Sequence, residues 1–406
     1  MMKTCMVYFF FLFPLGLYGL DWPTYGGLNN DHSSSEFGLR LNWEDEEPKI
    51  LWSMDVGSGY SSVVVSGESA LCQGNKDGKN TLYCLNSETG KIKWIHQYPC
   101  KKAADYFQGG SRSTPTVSDD KVFVLSHEGD LYALDLITGK VLWSTNLVTD
   151  LDGIRPQWGY ASAPLVSEGK VIIQTGSQKG SLVALNSTNG NIIWRTGNYG
   201  AGYSTPFLRK SKEGEIAVFN QFGLVLNQLS KGIESKKYQH KTRYGINASQ
   251  PLDLGNAFLI SSAYGKGTAY VKEKKSTFEV VWESDAISCQ MASLVKKDRF
   301  AFGIHGQTGA RGRHGTLFCL DIESGKKKWE EKGFGVGSII LVRDTLVVMS
   351  EDGELTLAAA DPGNFIKLAN FQVLPGKNNW TPPTFSGGKM HCRSSNGSWV
   401  CLSMQK

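Results

Sequence analysis

A thirteen-residue unit written four times governs what this chain can become. It reads LYCLNSETGKIKW at 82–94, LYALDLITGKVLW at 131–143, LVALNSTNGNIIW at 182–194 and LFCLDIESGKKKW at 317–329. Each copy is an apolar strand, a polar turn with a Gly, and a second strand ending in Trp. Asp or Asn followed by Gly suits the turn, because these residues tolerate positive φ. Upstream of the units lie further apolar strands, such as KVFVLSHEGD at 121–130 and KVIIQTGSQKG at 170–180. Further upstream is a third, with Ser, Thr or Ala before Pro: SRSTPTV at 111–117, YASAPLV at 160–166, GYSTPFL at 202–208. The repeat is therefore four short antiparallel strands.

Degenerate copies fill the gaps. Aligned on the last strand, the marker positions are Trp52, Trp94, Trp143, Trp194, Tyr238, Trp282, Trp329 and Leu368, spaced 39 to 51 residues apart. Four-stranded sheets at that period form a β-propeller. Eight markers give eight blades, and an all-β class agrees with 46 Gly against 13 Pro. The final copy, from Gly397, stops before its fourth strand, whereas PKILWSMDV at 48–56 is an orphan fourth strand. The ring is expected to close by joining them, which removes a free edge. The six marker tryptophans Trp52, Trp94, Trp143, Trp194, Trp282 and Trp329 are read as packing residues between blades, not as catalytic groups.

This repeat resembles the tryptophan-docking propeller of the quinoprotein, or PQQ-like, family; no Trp-Asp dipeptide of the WD40 type occurs. The stretches at 156–166, 242–252, 260–270, 333–341 and 380–402 are similar to exported bacterial PQQ-like repeat proteins. The resemblance spans 21–404. It implies the propeller and leaves function open, because the family holds dehydrogenases and the propeller lipoprotein of the outer-membrane assembly machinery. Its dehydrogenases commonly hold PQQ over the channel with adjacent disulfide-bonded cysteines, a stacking Trp and a calcium bound by Glu, Asn and Asp. Here no Cys-Cys dipeptide exists. No acidic cluster stands at the strand starts, and a hard cation needs several converging oxygens.

The first nineteen residues read as a secretory signal: Lys3, an apolar run from Met6 to Leu17, and a cut near Gly19 or Leu20. The run is shorter than the ~20 residues of a spanning helix. Residues 20–406 are then expected as one eight-bladed domain, periplasmic or secreted, monomeric and without a membrane span. The net charge of +5 gives no basic footprint for nucleic acid.

In a propeller the residues just before each innermost strand ring the channel mouth. The alignment places Tyr60, Arg112, Ala161, Tyr203, Ala248, Gln290, Val336 and Trp380 there. Tyr160 and Asn247 stand one residue earlier, and the preceding loops add Arg155, Trp158, Arg243 and Tyr244. A glycine-rich insert at 304–318 adds Arg311 and Arg313 to the same face. Aromatic and Arg enrichment with few carboxylates suits a binding surface; packing of loops over an empty funnel is the bland alternative. The expected role is a binding or scaffolding module for an envelope or extracellular protein or polymer, with no cofactor. The alternatives are a PQQ- and calcium-dependent dehydrogenase of alcohols or sugars, and a glycan-binding propeller. No paired carboxylates suggest glycan cleavage.

Export permits disulfides. A two-residue hairpin at Asn396-Gly397 would set Cys392 opposite Cys401, and the repeat puts Cys72 and Cys84 in matching places. Two cross-strand bridges are expected, with buried free thiols as the alternative. The repeat register brings no His beside a Cys, so no nucleophilic thiol is expected.

Overall fold

The computed structural model describes residues 20–102, 107, 109–309 and 315–405. Met1–Gly19, the expected signal, lies outside them. Among the described residues there is no helix, and none therefore long and apolar enough to cross a membrane. The strands form eight antiparallel blades. Blade one is Val64–Ser66, Ser69–Lys76, Lys79–Asn86 and Ile92–Pro99, innermost strand first. Blades two to seven follow over 116–146, 165–196, 207–239, 252–284, 295–332 and 338–372. Blade eight takes three strands from 384–403 and its outer strand from Ile50–Asp55, which pairs antiparallel with Ser398–Ser403. The expected ring closure is thus present. At this seam the buried guanidinium of Arg393 donates to the carbonyls of Gly57 (3.0 Å) and Gln73 (3.1 Å), and to that of Gly59.

The cores lie between blades. Phe123 and Leu125 of blade two, for example, pack with Val171 and Ile173 of blade three, all at most 2% exposed. The repeated turn explains the motif. Asp135 Oδ1 accepts from the Thr138 N–H (2.7 Å) and hydroxyl (2.6 Å), and the Gly139 N–H donates to the Asp135 carbonyl. Gly139 sits at φ +68, and a Cβ there would lie 2.6 Å from the indole of Trp94 in the preceding blade. Each docking indole donates from Nε1 into the corresponding turn of the next blade: Trp52 to Ser87, Trp94 to Leu136, Trp143 to Ser187, Trp194 to Leu229, Trp282 to Ile322 and Trp329 to Asp361. All eight outer strands carry a one-residue bulge at the residue before this position, such as Leu142 before Trp143. The bulge twists the exposed edge and aims the ring at its neighbour.

Two of the eight markers need correction. In blade four the docking place belongs to Lys236, not Tyr238, because Lys236 pairs with Leu226 just after the bulge. Lys236 reaches Glu273 of blade five at 2.6 Å, in an ionic group with the buried Arg209 and the exposed Lys212. In blade seven Leu368 is the bulge and Ala369 takes the place. Trp43 shares the core of blades seven and eight there.

The cysteine pairing is also corrected. The last hairpin turns through three residues, 395–397, since Arg393 pairs with Trp399. Cys392 therefore faces Val400 and Cys401 faces His391; Cys72 faces Tyr83 and Cys84 faces Leu71. A one-residue slip puts the partners on opposite faces of the sheet. All seven described cysteines are buried free thiols.

The segment ahead of the closing strand lies across the end of the channel opposite the mouth. Trp22 bridges Val65 of blade one, Pro23 accepts from Val117 of blade two, and Asn30 accepts from Gln250 before blade five. Ser33–Ser34 then runs parallel to the inner strand of blade seven, Ser338–Val342.

Candidate functional site: an aromatic cavity on the propeller axis

The residues just before the inner strands do converge. Tyr60, Arg112, Trp158, Ala161, Tyr203, Ala248, Gln290 and Trp380 line one cavity of about 190 Å³ over the axis. They come from seven of the eight blade entries, Trp158 and Ala161 sharing one, so the ring geometry rather than any local motif assembles them. The rings of Tyr60 and Trp380 stack at 5.2 Å with 12° between planes. The Arg112 guanidinium lies 5.7 Å from the Tyr60 ring, at cation–π range. Phe107 meets Trp380 edge-on at 4.7 Å, and the Tyr203 hydroxyl accepts from the Trp158 N–H at 3.3 Å. Burial raises the Tyr203 phenol, so it stays protonated and neutral.

Several lining groups besides Phe107 were not among the sequence candidates. Tyr264 enters from the hairpin between the second and third strands of blade five and accepts from Gln290 Nε2 at 2.8 Å. It holds a φ of +62, an uncommon place for a tyrosine. Thr308 joins the same Gln290 amide. Tyr25 comes from the N-terminal segment and forms the cavity floor. Its ring meets His32 edge-on at 4.8 Å, and burial pushes its phenol upward. No repeat signal marks Tyr25.

Other expected mouth residues do different work. Tyr160 is 1% exposed in the core between blades two and three, its hydroxyl donating to the Thr175 carbonyl. Asn247 is fully buried; its amide donates to the carbonyls of Asn220 and His240, and its carbonyl accepts from Ser262. Each stands one residue from a lining position, and that offset turns the side chain from the axis into the ring wall. Arg155 pairs with Glu128 at 2.8 Å. Tyr244 is exposed, meets Tyr264 edge-on and carries Arg243 over its ring, so the pair stands at the rim. Val336 is buried and does not line the cavity. Arg311 and Arg313 lie outside the described residues.

The described lining contains no Asp or Glu. No group of three or more His, Cys, Asp or Glu fit to hold a metal occurs among the described residues. The described donor set therefore does not fit a calcium-held quinone. A His does approach a cysteine, contrary to the repeat-based expectation: Cys100 Sγ lies 3.8 Å from His127 Nε2. Burial, with the charges of Asp130 and Glu128, pushes that thiol up to about 12, so it is no nucleophile near neutrality.

Comparison with known proteins fits this geometry. A family model described as outer membrane protein assembly factor BamB matches residues 32–152 and 102–329. BamB from Moraxella catarrhalis is similar in fold, with a TM-score of 0.62 at 16% identity over 88% of this chain and 97% of that one. A europium-containing methanol dehydrogenase gives 0.66 at 12% identity, over 94% and 89%. A quinohemoprotein alcohol dehydrogenase from Comamonas testosteroni gives 0.66 at 13%, over 95% and 81%. No curated protein sequence matches. With the family model spanning most of the ring, the chain belongs to the PQQ-like β-propeller family that includes the outer-membrane assembly factor BamB.

Proposed function

We propose that this protein is an exported binding propeller that receives a segment of an envelope protein at its mouth. The single observation carrying this is the axial cavity, where stacked Tyr60 and Trp380, with Trp158, Tyr203 and Tyr264, surround Arg112 and no described carboxylate. Such a lining offers large apolar faces and a few hydroxyl and amide groups for orientation. It suits an extended segment bearing an aromatic side chain. It supplies no described acid–base pair for hydrolysis and no hard-metal ligands. The assembly-factor description of the family supports a protein partner and an envelope location.

The test is a photo-crosslinking amino acid at position 107 on the mouth, compared with exposed position 137 in the turn between the outer strands of blade two, in exporting cells. Crosslinks to envelope proteins at 107, absent at 137 and lost with Trp158→Ala, are expected. Equal crosslinking at both positions removes the reading. Bleaching of an electron-accepting dye on adding PQQ, calcium and an alcohol would favour the dehydrogenase instead.

A further inference from the structure

Leu20, beside the expected signal cut, has both its backbone N–H and its carbonyl hydrogen-bonded. The backbone N–H of Leu20 donates to Glu36 Oε2 at 3.0 Å. Glu36 is 7% exposed, and among the described residues its carboxylate otherwise accepts only from the backbone N–H groups of Gly387 (3.1 Å) and Gly388 (2.5 Å). Among the described residues no Lys, Arg or His forms an ion pair with it. A carboxylate taken out of water without a cation is costly. The other side of Leu20 is fixed too, because Ser386 Oγ donates to its carbonyl at 2.7 Å. The sequence independently places a signal cut near Gly19 or Leu20.

We propose that hydrolysis of the Gly19–Leu20 bond turns the Leu20 nitrogen into an α-ammonium that pairs with Glu36, and that this ion pair seats the N-terminal segment on the ring. A peptidase of the export machinery supplies the catalysis. Water adds across the amide: Gly19 leaves as a carboxylate on the released peptide, and the Leu20 nitrogen takes a proton. A free α-amine titrates near pH 8 and is cationic at neutrality. The reaction thus creates a positive charge at the one buried carboxylate that faces it. A cut after Leu20 would instead leave Asp21 first and discard the Ser386 contact. Asp21 is itself engaged, accepting from Ser66 Oγ and the Gly67 N–H. Seating has reach, because the same segment carries Tyr25 to the floor of the axial cavity. The inference rests on export, not on what the mouth binds.

The test starts with N-terminal sequencing of protein recovered outside the cytoplasm; Leu-Asp-Trp-Pro is expected. Two chains are then compared, one starting at Leu20 and one with Gly-Ser ahead of it, each with and without Glu36→Gln. Gln keeps an acceptor for neutral N–H groups but carries no charge. The substitution should lower Tm in the chain starting at Leu20 and change it little in the extended chain. A different first residue, or equal Tm shifts in the two backgrounds, overturns the proposal. The extended chain does not depend on the ion pair and reports whether the substitution harms folding by itself.

Discussion

The indole of Trp94 lies against Gly139 of the next blade, with its Nε1–H donating to the Leu136 carbonyl at 2.9 Å. The contact explains why the recurring turn keeps its glycine: the position needs both a positive φ and space for a neighbour's ring. Gly139→Ala should therefore cost about 2–4 kcal/mol, from ~1–2 kcal/mol of left-handed strain plus overpacking. Gly67, at φ +53 with nothing within 4 Å of its Cβ position, is the control and should show only the strain. Denaturant midpoints of the two variants check this; equal losses would refute the packing part.

Replacing Trp94 separates area from hydrogen bonding. Trp94→Phe keeps most of the buried ring and should cost about 1 kcal/mol beyond the volume lost. Trp94→Ala should cost about 3–5 kcal/mol. Urea unfolding followed by circular dichroism measures both.

Blade four docks by charge instead. Arg209, with a buried side chain, bridges Glu215, Asp253 and Glu273. Against the upward push of burial, Lys212, Lys236 and Arg209 hold the Glu273 carboxyl at about 2. Arg209→Met should leave three facing carboxylates and cost about 3–5 kcal/mol at pH 7. The deficit should shrink only as pH falls from about 4.5 toward 2 and Glu273 takes its proton, which paired melts at pH 7 and pH 3 would reveal.

Acid should weaken the fold through buried histidines. Burial, reinforced by Lys266 and Lys389, lowers His240 and His391 to about 3; burial lowers His32 to about 4, partly opposed by Asp31. Unfolded histidine takes its proton near pH 6.5, and these folded ones do not. Stability is thus unaffected by them above about pH 7 and falls as pH drops from ~6.5 toward 4, by up to roughly 1.4 kcal/mol per pH unit for each group. A Tm that holds steady from pH 7.5 to 5 would contradict this.

The sequence carried the architecture because a propeller writes its geometry once per blade. Strand period, turn chemistry and marker ring all recur, and seven of the lining positions followed from one alignment column. What escaped it does not recur or depends on a single step of register. Tyr25 lies in a segment with no second copy. Tyr160 and Asn247 stand one residue from the lining. The two-residue turn read at Asn396-Gly397 is a three-residue turn, and that step moved Cys392 away from Cys401. Lys236 was hidden because an ion pair replaces the indole.

The thiols offer a direct check on that register. Burial raises Cys84 to about 11 and Cys289, Cys319 and Cys401 to about 12. Native protein should resist iodoacetamide at pH 8, and denatured protein without reductant should gain label at all seven described cysteines. A mass two hydrogens short per pair would restore the bridges.

The pairing of Ile50–Asp55 with the last strand sets an order of events for a chain delivered N-terminus first through a pore. Seam partners such as Gly57 and Arg393 stand 336 residues apart, so the early strand must wait, unpaired, for nearly the whole chain. Until then the molecule is an open arc with a sticky end. A product truncated by even its final dozen residues never seals, and it offers proteases the edge that a finished ring hides.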